Sequence, residues 1–108
     1  MKIERFGDEK KIIGELFWNI WGNKLNIDNP SVTIFYPKSE PMFSVMLVIN
    51  KRISTNTYND FRELFDMLKR LDLEFVLNDS KQLVITLKDL GSLIKELKNV
   101  QNSKKFNI

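Results

Sequence analysis

A chain with no cysteine and no histidine has no disulfide staple and no zinc cluster to hold it together, so its fold must rest on apolar packing. At 108 residues, 43% of them hydrophobic and with eight Phe and two Trp, it is large enough for one such core. The 29% of charged residues is an ordinary globular share and excludes wholesale disorder. The same absence narrows the chemistry. Ser-His-Asp and Cys-His catalysis and Fe–S clusters are excluded, which leaves carboxylates, Lys, Tyr, Ser and Thr.

Hydrophobic spacing divides the chain into helix, two strands, helix, two strands, helix. From Asp8 to Trp21, Ile12, Ile13, Leu16, Phe17, Ile20 and Trp21 fall on one arc at ~100° per residue, and Gly22-Asn23 supplies a stop. An irregular stretch from Asn23 to Asn29 ends at Pro30. Val32 to Tyr36 and Phe43 to Ile49 read as strands around the loop Pro37-Lys38-Ser39-Glu40-Pro41. The second strand is apolar on both faces, with Phe43, Val45, Leu47 and Ile49 on one and Ser44, Met46 and Val48 on the other. Its second face therefore calls for cover by a helix, a second copy or a binding target.

Thr57 and Asp60 resemble a capping box before a helix carrying Phe61, Leu64, Phe65, Leu68 and Leu71 in a stripe. Leu73 to Leu77 and Leu83 to Leu87 flank the polar turn Asn78-Asp79-Ser80-Lys81. Asp89 caps a last helix with Leu90, Leu93, Ile94, Leu97 and Val100 on one face. The expectation is an α+β fold: a single domain over residues 1–100, in α-ββ-α-ββ-α order, with helices packed on an antiparallel four-stranded sheet. Residues 101–108 are expected to be a polar, frayed tail. The two hairpin-helix units suggest a structural pseudo-repeat without residue identity to support a duplication.

Met1 to Arg5 leads into charged residues, so no signal peptide is expected, and the run from Met42 to Ile49 is far short of the ~20 residues a membrane-spanning helix needs. These features imply a soluble cytoplasmic protein with no membrane partner. Net charge is +3, yet residues 81–108 carry six lysines against Asp89 and Glu96, a balance of +4 that leaves −1 for the first 80. Alanine is absent while Lys, Asn and Ile abound, as in AT-rich coding sequences common in low-GC bacteria, phages and mobile elements.

Trp18 is the foremost candidate for a binding residue. It lies ~160° from the centre of the apolar arc, beside Lys11 and Glu15, and tryptophan on a polar helix face is a frequent interface anchor. Tyr36, Met46 and Val48 join it as candidate partner-binding residues, from the end of one strand and the second face of the next. Structural cover is the competing reading for each. Lys51, Arg52, Lys95, Lys98, Lys104 and Lys105 are the candidates for phosphate binding; a solvated cationic end explains the same residues. Asp8-Glu9, Asp28 and Asp79 lie at element ends, where capping accounts for acids, and they show no metal spacing. There is no G-x-G-x-x-G or Walker sequence. No enzymatic activity, cofactor or metal is expected. The expectation is a small protein-binding domain, an inhibitor or immunity-type protein that neutralises a toxin or enzyme by occupying its surface. The alternative is a nucleic-acid accessory protein using its lysine-rich end, and homodimerisation through the sheet is a third possibility.

Overall fold

Gly22 takes a backbone φ of +51°, and at that residue the first helix ends. A computed structural model describes residues 7–36 and 45–106. Within them α1 spans Gly7–Trp21, with Asp8 and Glu9 in its first turn complementing the helix dipole. Two 3-10 turns, Gly22–Lys24 and Asn29–Ser31, lead to β1 (Val32–Phe35). Then follow β2 (Val45–Ile49), α2 (Arg62–Arg70), β3 (Glu74–Leu77), β4 (Leu83–Leu87) and α3 (Leu90–Phe106). The expected α+β order is what the molecule adopts. The loop Pro37–Pro41 and residues Phe43 and Ser44 lie outside the described residues.

All strand pairs are antiparallel and the sheet order is β1-β2-β4-β3. The two hairpins thus meet along β2 and β4, a strand order that the spacing of the chain leaves open. Alternation sends Val32, Val45, Leu47, Ile49, Leu83, Ile85 and Leu87 to one face, where all are buried. They share a single core with Ile13, Leu16 and Phe17 of α1, Leu64, Phe65 and Leu68 of α2, and Leu90, Leu93 and Leu97 of α3. The helices therefore lie on one side of the sheet. Among the described residues no polar or charged side chain is buried. Apolar packing does carry the fold, as a chain without disulfides requires.

Among the described residues no helix lies on the opposite face. Register places Thr33, Val48, Val84 and Val76 in one row across the four strands, and Phe35, Met46, Thr86 and Glu74 in the next. Met46, Val48, Val84 and Thr86 are half-buried, with the Thr86 hydroxyl donating to Met46 Sδ at 3.5 Å. The edge residues Phe35 and Val76 are 40% and 59% exposed.

Several local expectations differ from what forms. Ile12, at the rim of the α1 arc, is exposed, whereas Met67, off the expected α2 stripe, is buried. No capping box forms at Thr57, whose Oγ1 turns back to accept the Ser54 amide at 2.9 Å. A 3-10 turn, Tyr58–Phe61, fills that place and hands over to α2. Asp89 does cap α3, accepting the Ser92 amide at 2.9 Å. That helix runs on to Phe106, so the segment expected to be a tail from 101 is helical through six of its eight residues. The reason is tertiary: Lys104 reaches Glu63 of α2, and Val100 packs on the core.

Candidate functional site

Lys11, Glu15 and Trp18 stand four and three residues apart on α1, a spacing that stacks them along one helix face. All three are exposed, Trp18 at 43%. The core side of the same helix is held by Ile13, Leu16, Phe17 and Trp21, so Trp18 points away from the sheet. A helical side chain leans over the turn before its own Cα. One turn before Trp18 stands Gly14, which adds no side chain. The result is an open cleft of about 510 Å³ lined by Gly14, Glu15, Trp18, Asn19 and Asp28.

Asp28 enters the cleft from the connection after α1. Its turn is fixed by the Ser31 amide donating to the Asp28 carbonyl at 3.0 Å and the Ser31 hydroxyl donating to Asp28 Oδ1 at 2.9 Å. An exposed indole thereby shares one cleft with two acids, Glu15 and Asp28. Sequence spacing places Lys11 and Glu15 beside Trp18, but only the path of the connection brings Asp28, ten residues on, to the same place.

The other expected partner-binding residues lie elsewhere. Met46 and Val48 are on the helix-free face of the sheet, across the molecule from Trp18, with Phe35 in the same surface. Tyr36 follows β1 and is 41% exposed. Lys11, Glu15 and Trp18 form one surface and Met46 and Val48 another, because strand alternation assigns Met46 and Val48 to the side opposite the helical layer.

The basic candidates are dispersed. Lys104 Nζ is 3.1 Å from Glu63 Oε1, the one ion pair among the described residues. Lys95 lines a cleft of about 670 Å³ between the β3–β4 end of the sheet and α3, in company with Lys88 and with Asp72, Glu74, Asp89 and Glu96. Four acids against two lysines make this a poor bed for phosphate. Lys98 and Arg52 are exposed and Lys51 is half-buried. The side chain of Lys105 lies outside the described part.

Glu63 is a contact point that spacing did not disclose. Its Oε1 accepts the Trp21 indole N–H at 2.9 Å and meets Lys104, so one carboxylate ties α1, α2 and α3 together. Partial burial pushes its pKa up. The bonds from Trp21 and Lys104 and the charges of Lys104 and Lys24 outweigh that and hold it below the ordinary value of 4.5. Residues 21, 63 and 104 are too far apart in sequence for any local pattern to pair them. Among the described residues no group of three or more acids is placed to hold a metal ion, and no helix is long and apolar enough to cross a membrane. No family model, curated protein or solved structure matches this chain.

Proposed function

We propose that this is a cytoplasmic, non-catalytic protein-binding domain of the inhibitor or immunity type, which neutralises a toxin or enzyme by occupying its surface through α1. The observation that carries the reading is Trp18, 43% exposed in a cleft that Glu15 and Asp28 also line. An indole that shares a cleft with acids suits a cationic side chain. An arginine of the partner laid over the ring gains a cation–π contact of about 0.5–2 kcal/mol, and either carboxylate offers it a hydrogen-bonded pair. Basic enzymes, nucleic-acid-cleaving ones above all, present such arginines. The net charge of −1 over the first 80 residues agrees with that partner better than the chain's overall +3 does.

The test is affinity capture from a lysate of the source organism at moderate salt, after nuclease treatment, with mass spectrometry of what remains. A stoichiometric basic protein is expected, and Trp18→Ala should weaken its binding by about 2 kcal/mol with an unchanged circular dichroism spectrum. Capture indifferent to Trp18→Ala rejects the site. Recovery of nucleic acid alone, lost steeply as salt rises, replaces this reading with phosphate binding by the lysines.

A further inference from the structure

Among the described residues the sheet ends on one side at β3, and half of the backbone groups of that strand have no partner there. Asn78 N–H donates to the Gln82 carbonyl at 3.0 Å, which makes Asn78–Gln82 a hydrogen-bonded pair. Antiparallel pairs alternate, so Val76–Val84 is bonded as well, while Phe75 and Leu77 direct their N–H and C=O groups away from β4. Among the described residues no backbone group outside the sheet bonds to either. Natural edge strands are blunted by brevity, by charged side chains (Lys above all), by Pro, by a bulge or by a covering loop. The strand Glu74-Phe75-Val76-Leu77 is short and carries a charge at Glu74, but it has no Lys or Pro, its register with β4 is unbroken, and Val76 and Leu77 are 59% and 38% exposed.

We infer that β3 is a dimerisation edge, which takes β3 of a second copy of this chain as an antiparallel neighbour to form one continuous eight-stranded sheet. One register satisfies both backbone and side chains. With Val76 on the two-fold axis, Phe75 and Leu77 of one copy exchange N–H···O=C bonds with Leu77 and Phe75 of the other. On the outer face Val76 then meets its own counterpart and Glu74 lies opposite Asn78, so no like charges face each other across the ladder. On the inner face Phe75 meets Leu77. The strand complements itself, which favours a second copy over a foreign strand. The axis runs perpendicular to the sheet, so both helical layers lie on the same side. α1 packs against β1, at the far edge, which leaves the Trp18 clefts at opposite ends of the dimer. The inference stands apart from the proposed function: Trp18→Ala should leave the dimer unchanged.

The chain has no cysteine, so a single introduced thiol reports directly. In the proposed register Val76 faces itself at a non-hydrogen-bonded position, where Cα atoms lie about 4.5 Å apart, within disulfide reach. The full chain should sediment as two copies at high concentration and as one on dilution. Val76→Cys should form a disulfide-linked dimer in oxidising buffer, and Ser80→Cys, in the exposed turn, should not. Val76→Lys should abolish the dimer with an unchanged circular dichroism spectrum. A single-chain mass at every concentration overturns the inference. So does a dimer that survives Val76→Lys, or a Ser80→Cys variant that cross-links as efficiently as Val76→Cys.

Discussion

Two residues show how backbone conformation, not side-chain contact, sets local stability. Gly22 holds φ +51° with no atom within 4 Å of where a Cβ would stand. Gly22→Ala therefore meets no clash but incurs the left-handed penalty of about 1 kcal/mol, which a denaturant titration would read as a lower midpoint. Lys81 is the converse case. It holds φ +64° at the end of the β3–β4 turn, where the Asn78 carbonyl accepts its amide at 2.9 Å and Asn78 Oδ1 accepts the amides of Ser80 and Gln82. The position after such a turn favours glycine. Lys81→Gly should raise stability by about 1 kcal/mol, read in the same titration as a higher midpoint. The turn is legible in the run Asn78-Asp79-Ser80-Lys81, but which of its residues takes the left-handed conformation is not.

At the scale of elements, the helices are joined by contacts of two kinds. Aromatic rings tie α2 to the sheet, with Phe65 stacked on Phe75 at a centroid distance of 5.7 Å and Tyr58 tilted against Phe65 at 5.1 Å. The polar tie is Glu63, which holds Trp21 of α1 and Lys104 of α3. A carboxylate whose pKa is lowered on folding contributes stability at pH values above its unfolded pKa, and loses it as pH falls through the folded value. For Glu63 that window lies below 4.5. Glu63→Gln keeps an acceptor for the indole but drops the charge that Lys104 meets. The variant should be less stable than the parent at pH 7, and thermal melts should show the gap closing on acidification through that window. The extension of α3 to Phe106 belongs to the same tie. Residues 101–106 have a polar composition that reads as a tail, and they are helical where Lys104 finds a partner on another helix.

For the molecule as a whole, the sheet has one dry face and one open face, and the two should respond differently to substitution. Leu47 is fully buried between the helical layer and the central strands. Leu47→Ala should cost about 3 kcal/mol through lost burial and the cavity left behind. Val48, its neighbour on the open face, should tolerate Thr at a cost below about 1 kcal/mol. Equilibrium unfolding of the pair tests the asymmetry. The open face also bears on the question that the doubly apolar β2 raises: among the described residues no helix covers Met46 and Val48, which are half-buried.

Much of this architecture is a local matter. Spacings of three and four, alternation over four or five residues, and the stops at Gly22, Asn78 and Asp89 determine the number, order and type of the elements, because each pattern acts within a few residues of itself. The place of Trp18 on the polar side of α1 is local in the same sense, since Ile13, Leu16 and Phe17 fill the opposite side, but that the indole is left exposed there is decided by the tertiary structure. What joins distant parts is decided only by the tertiary structure. The order β1-β2-β4-β3, the partition of Trp18 and Met46 to opposite surfaces, the arrival of Asp28 in the cleft of Trp18, the bond of Trp21 to Glu63 and the place of β3 at the end of that order all depend on how the hairpins and helices are laid against one another. Side chains that never meet along the chain leave no periodicity, so their meeting is set by the burial of the whole core and not by any segment of it.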